Sequence, residues 1–195
     1  MKRFLTILLA LPLLFAGCKE EDTVLSQRDN IEKFLTSTRR MVAEENLGSV
    51  IEDNPKFYTV FGRYAYRYID NYYDADRENR AVVEWGDEVV LRFNAYTFTS
   101  TEPSNSAPYW SNVPEMIDKL GKHGDLEWSR DPLAIRLGTT DVIEGVERAL
   151  VGCREQDSVQ VFMTSSLGYG KRLVGSVPKR SSLAWYMKIE KVNKR

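Results

Sequence analysis

The chain is short of the side chains on which covalent, acid–base and metal chemistry most often rest. It has one histidine, His123, and two cysteines, Cys18 and Cys153. A histidine- or cysteine-based zinc site takes three or four such ligands, and a cysteine nucleophile takes a histidine partner, so neither reading is supported and no metal is expected. Cys18 closes an N-terminal apolar run. That leaves Cys153 as the one thiol of the folded part, with no intrachain disulfide; beside the helix-stopping Gly152 it reads as a small buried apolar residue. Basic runs never exceed a pair and the formal net charge is −1, so nucleic acid is not expected as a partner. There is no glycine-rich phosphate loop, no dinucleotide fingerprint and no internal repeat. The apolar run Phe4 to Phe15 is also too short to span a bilayer core of about 30 Å at roughly 1.5 Å per residue.

What is present at the N-terminus is a basic head, Met1-Lys2-Arg3, then that apolar run, then Ala16-Gly17-Cys18. Residues 1–17 therefore read as a signal peptide. Ala-Gly before Cys, with Leu14 close behind, resembles a bacterial lipoprotein box, although Phe15 stands where a smaller aliphatic residue is usual. The implied product begins at Cys18, which carries acyl chains into the lipid bilayer, each buried methylene contributing about 0.8 kcal/mol. An ordinary cleaved signal with a chance cysteine is the alternative. The expected location is the cell envelope, as an outer-membrane lipoprotein that faces the periplasm or is exposed on the cell surface. Lys19-Glu20-Glu21-Asp22 reads as a solvated tether, and also resembles a surface-export signal of some Gram-negative lipoproteins. Residues 18–55 are expected to form this tether and a helical extension. Ile31, Phe34 and Leu35 make one apolar stripe that Asp29-Asn30 can cap, and docking on the chain's own domain is the expected use of it.

The rest of the chain, 56–195, reads as one domain. From Val142 to Val151 runs a short helix, with Asp141 and Glu144 as a capping box and Val142, Ile143, Val146, Ala149 and Leu150 on one stripe, stopped by Gly152. Ser158 to Thr164 alternates Val159, Val161 and Met163 on one face, and the last segment alternates Leu183, Trp185, Met187 and Ile189. Two half-buried strands thus share that helix as their filling. The loop between them, Ser165 to Ser182, is too long for a hairpin turn and is where a site is expected. Upstream, Val89, Leu91, Phe93 and Ala95 mark another strand, and Tyr64, Tyr66 and Tyr68 are spaced by two. That tyrosine row reads as sheet packing with phenol tips at the water boundary, or as a face that grips a glycan or peptide. An insert of about 99–131 carries a Ser/Pro-rich link, Tyr109-Trp110 and a short helix from Pro114 to Leu120; His123 reads as an exposed loop residue.

The order and spacing of Val142-Ile143-Glu144-Gly145, Tyr169-Gly170, Val177-Pro178 and the terminal strand through Ile189-Glu190-Lys191-Val192 resemble the C-terminal half of an FKBP-type peptidyl-prolyl isomerase. The resemblance reaches back to about residue 60 through Gly86-Asp87 and Pro132-Leu133, with a gap at the insert. It implies an α+β fold: an antiparallel sheet of five or six strands curled over one short helix, with the N-terminal helical extension added. It implies an isomerase that needs no cofactor and acts on proline-containing polypeptide clients at the envelope. Residue by residue, Tyr169 matches the hydroxyl donor, Val142 and Ile143 the edge that receives the substrate, and Phe93, Leu133, Val177 and Trp185 the walls of the proline pocket. Val146 falls where the family has a Trp floor, so Trp185, Trp128 or Trp110 would have to fill that space. The family's aromatic-Asp pair has Leu126-Glu127 as its nearest stand-in. The other reading is an FKBP-like binding module, weak or inactive as an enzyme, that holds an envelope protein or glycan through the tyrosine-rich face or the insert. No oligomeric state follows from the sequence.

Overall fold

The structure, a computed structural model, describes residues 5–38, 59–122, 128–139 and 142–195, with side chains for 21–38, 62–122, 128–139 and 142–195. Helix α1 (Leu5–Ser37) comes first, followed by strands β1 (Thr59–Phe61), β2 (Ala65–Ile69), β3 (Glu88–Thr97) and β4 (Trp110–Ser111). Helix α2 (Pro114–Lys119), β5 (Leu133–Arg136), helix α3 (Glu144–Leu150), β6 (Ser158–Met163) and β7 (Leu183–Asn193) complete the chain. The strands form one antiparallel sheet in the order β1-β2-β6-β7-β3-β4, with β5 on the same edge of β3 as β4. The fold is α+β, as expected. Among the described residues the sheet takes in two further short strands, β1 and β4, which are only three and two residues long and too short to show a period of two.

The concave face takes the alternating residues of β3, β6 and β7: Leu91, Phe93, Val161, Met163, Trp185 and Ile189 are all buried against Val146, Ala149 and Leu150 of α3. Burying each such side chain contributes on the order of 1.5–3 kcal/mol. Helix α3 starts later than the capping box requires. Its N-cap is Ile143, in extended conformation and with no side-chain cap, and Asp141 lies outside the described residues. Its C-terminal carbonyls are instead held from the sheet: Arg67 Nη1 on β2 donates to Ala149 O (3.0 Å) and Val151 O (2.7 Å), satisfying groups the helix leaves orphaned. Cys153 is buried there, its Sγ donating to Ala149 O at 3.2 Å.

The opposite face of the sheet is covered by α1. Ile31, Phe34 and Leu35 pack on Tyr66, Tyr68, Phe98 and Phe162, with the Phe34 ring 5.3 Å from Phe98 and 5.6 Å from Phe162. The Tyr66 hydroxyl donates to Glu32 Oε1 at 2.6 Å, which pins the helix to β2. This agrees with the packing reading of the tyrosine row and goes against the ligand-gripping one. Tyr64 precedes β2 and is exposed, whereas Tyr66 and Tyr68 lie beneath α1 and cannot grip a ligand in this arrangement. Helix α1 passes through Cys18 without a break; no helix among the described residues is long and apolar enough to cross a membrane. The polar stretch Met41 to Asn54 falls outside the described residues.

Candidate functional site

Four pieces of chain converge above the concave face. Strand β7 directs Trp185 inward, and β4 pairs with β3 so that Trp110 stands opposite Ala95. Val142 and Ile143 lead into α3, and the loop after β6 brings in Tyr169. Together they wall an open cavity of about 540 Å³, within the range of small-ligand sites. The close approach of α3 to the loop depends on Gly145. Its N–H donates to Leu167 O at 2.9 Å, and a Cβ there would lie 2.5 Å from Met163 Sδ and 3.1 Å from Leu167 O. Only a residue without a side chain lets Ile143 and Tyr169 share one cavity.

The floor is a cluster of three aromatic rings. Trp185 stacks on Phe93 at 4.7 Å and 19°, and Trp110 meets Phe93 edge-on at 4.6 Å and Trp185 at 5.8 Å. A second cavity of about 380 Å³ lies across Trp110 and Tyr169, lined also by Tyr109, Trp128 and Val174. Between the two runs a chain of hydrogen bonds. Trp185 Nε1 donates to the Tyr109 hydroxyl at 2.9 Å, and that hydroxyl donates to the Tyr169 hydroxyl at 3.4 Å. An indole N–H can only donate, so Tyr109 must accept from it and has its own proton to pass on. Burial, with Tyr169 beside it, pushes the Tyr109 phenol far above the ordinary tyrosine value, so it stays protonated. With one lone pair engaged by Tyr109, the Tyr169 hydroxyl keeps its proton for an acceptor in the cavity. At the rim, Arg172 lines the cavity, while Glu144 is tied to Arg148 at 2.5 Å.

Of the residues expected at the site, Tyr169, Val142, Ile143 and Trp185 line this cavity. Phe93 lies behind Trp185, 1% exposed, as support rather than wall. Val177 and Val146 are buried in the core and do not face the cavity, and Leu133 packs on the core from β5. Trp110 completes the wall that Val142, Ile143, Tyr169 and Trp185 make. Trp110 is one of the three indoles named as able to fill the floor, whereas Tyr109 was not among the expected site residues. Their only sequence signal is an aromatic pair after a Ser/Pro-rich link, since a two-residue strand has no periodicity to read.

Residues 115–190 match the sequence profile of the FKBP-type peptidyl-prolyl cis-trans isomerases. Among solved structures, the three FKBP domains of wheat FKBP73 superpose with a TM-score of 0.52 at 14% identity, over 71% of this chain and 51% of that one. The chain has an FKBP-type fold. It spans about half the length of the wheat chain. No curated protein matches the sequence.

Seen as an FKBP-type domain, the molecule departs from the expected pocket at two places. Leu126-Glu127, the expected counterpart of the aromatic-Asp pair, lies outside the described residues, as does His123. The short strand β4 offers Trp110 followed by Ser111 instead. Ser111 is fully buried, its hydroxyl donating to Asn94 Oδ1 at 2.7 Å and accepting from Val113 N at 3.0 Å. A neutral hydroxyl so occupied offers the rim no carboxylate. At the floor, Val146 contributes core packing only, and the indole surface comes from Trp110 and Trp185.

Proposed function

We propose that this FKBP-type domain is a peptidyl-prolyl cis-trans isomerase acting on polypeptide clients at the cell envelope, anchored to the bilayer through acylated Cys18. Rotation about a prolyl bond faces a barrier of roughly 18–20 kcal/mol that comes from amide resonance, and uncatalysed exchange takes about 10–100 s. Water favours the planar, charge-separated amide. The indoles of Trp110 and Trp185, backed by Phe93, supply a surface with little hydrogen-bonding capacity, on which a prolyl ring loses that solvent support. Donors that hold the carbonyl in its twisted form then lower the barrier without a covalent step. The Tyr169 hydroxyl is one donor. Val142 and Ile143, which line the same cavity, supply the edge that would receive the substrate.

The observation that carries this reading is the Trp185–Tyr109–Tyr169 chain at the edge of an open aromatic cavity. Its test is the exchange rate of a short X-Pro peptide in the presence of the full chain. Tyr169→Phe should lower kcat/KM roughly 2- to 12-fold, the value of one hydrogen bond of about 0.5–1.5 kcal/mol. A rate equal to buffer alone for the unaltered protein would sink the enzyme and leave a binding module. The second cavity favours that second reading, because Tyr109 and Trp128 come from the insert and offer an aromatic recess beside the first.

A further inference from the structure

The loop that carries Tyr169 is fastened to α1 through the side chain of Gln27. Gln27 lies one turn before Ile31 and two before Leu35, on the stripe that docks α1 to the sheet. Its side-chain amide reaches both stems of the loop: Oε1 accepts from Ser165 N at 2.8 Å, and Nε2 donates to Arg180 O at 2.5 Å. Inside the loop, Gly170 N donates to Ser165 O at 2.9 Å and Arg180 N donates to Gly170 O at 2.7 Å. The four bonds close a ring, Gln27 to Ser165 to Gly170 to Arg180 and back, and Tyr169 is the residue next to its inner corner. That corner requires a glycine, since Gly170 has a φ of +59°.

We infer that Gln27 is a positioning residue for the Tyr169 loop, so that the N-terminal helix, beyond tethering the domain, is a working part of the site. A primary amide suits the place because it offers one acceptor and one donor at a fixed separation, which neither a carboxylate nor a thioether does. Without it, Ser165 N–H and Arg180 O lose their common partner, and beyond its strands the loop keeps the Gly145–Leu167 bond, the Tyr109–Tyr169 contact and the buried Val177 as its ties to the fold. The Tyr169 hydroxyl would then sample positions off the line from Tyr109, and misplacement of a donor by about 1 Å is enough to lower catalysis.

The test uses the full chain with Gln27→Met, which keeps length and helix propensity, and Gln27→Glu, which keeps the acceptor and loses the donor. Amide hydrogen exchange at Gly170 and Arg180 should speed up at least about fivefold in Gln27→Met while interior amides of β6 and β7 are unchanged, the pattern of a local opening. Gln27→Glu should fall between. The inference rests on the isomerase reading for its consequence: kcat/KM should drop roughly three- to tenfold in Gln27→Met, with the loss chiefly in kcat. Unchanged exchange at Gly170 and Arg180, or a rise matched by β6 and β7, would overturn the latch. So would full activity in Gln27→Met. If the unaltered chain has no isomerase rate, the functional reading fails by itself, and the exchange pattern still decides the latch.

Discussion

At the scale of single residues, the site depends on a chain of hydrogen bonds that ends on the Tyr169 hydroxyl. Tyr109 is the hinge of this arrangement, because its hydroxyl accepts from Trp185 Nε1 and donates to Tyr169. Tyr109→Phe would leave the indole N–H buried and unpaired, which costs about 1–3 kcal/mol. We expect an unfolding free energy lower by that amount in denaturant titration, together with a fall in kcat/KM no larger than that of Tyr169→Phe. A variant with unaltered stability would show that the Trp185 N–H has another partner. Cys153 illustrates the opposite case of a chemically capable group made inert. Burial pushes its thiol up to about 11, against the pull of the Arg67 guanidinium beside it. At pH 8 only about one molecule in a thousand would carry the thiolate, which is the reactive form. A maleimide should therefore leave Cys153 unlabelled until denaturant is added; prompt labelling of the native protein would contradict this placement.

At the scale of elements, each of the two strands that frame the Tyr169 loop is anchored by something distant in sequence. The end of β7 is held at Asp87, whose buried carboxylate accepts from Lys194 Nζ at 2.7 Å, Glu84 N at 2.9 Å and Arg195 N at 3.2 Å. The Lys194 hydrogen bond, helped by the two backbone donors, holds the Asp87 carboxyl below the usual carboxylate value, while the same contact and Glu84 raise Lys194. A carboxyl lowered on folding stabilises the fold above its unfolded pKa of about 3.9, and that contribution is lost as pH falls through the lower folded value. A raised lysine contributes below about 10.4 and loses it as pH climbs through the higher folded value. The clamp is therefore complete between these limits. Thermal midpoints followed from pH 5 down to pH 2 should fall less steeply for Asp87→Asn than for the unaltered chain, and parallel curves would remove Asp87 from the account. The start of β6 is held differently, by the buried bidentate pair of Arg77 with Asp157 at 2.9 and 2.8 Å. Removing one partner of such a pair leaves an uncompensated buried charge.

At the scale of the whole molecule, one sheet serves two layers. Its concave face carries the core and the site; its other face carries α1, which begins in the segment that reads as a lipoprotein leader. In a cell that acylates lipoproteins, Cys18→Ser should move the protein from the membrane to the soluble fraction, with lipid absent from its N-terminal peptide by mass spectrometry. Membrane retention of that variant would rule out the thiol as the attachment point.

The sequence by itself determined the strands β3, β6 and β7, the helix between them and the docking stripe of α1, because each buries one face at a regular period of 2 or 3.6 residues. It also singled out Tyr169, Val142, Ile143 and Trp185, which line the cavity. Tertiary structure alone decided what those residues meet. Trp110 comes from a two-residue strand with Tyr109 just before it, Val177 and Val146 turn into the core, and Tyr66 and Tyr68 vanish beneath α1. Gln27 reaches a loop some 138 positions away in the chain. Periodicity reports which face of an element is buried, whereas the partner across the interface is set by how separate elements pack, and no local pattern encodes that distance.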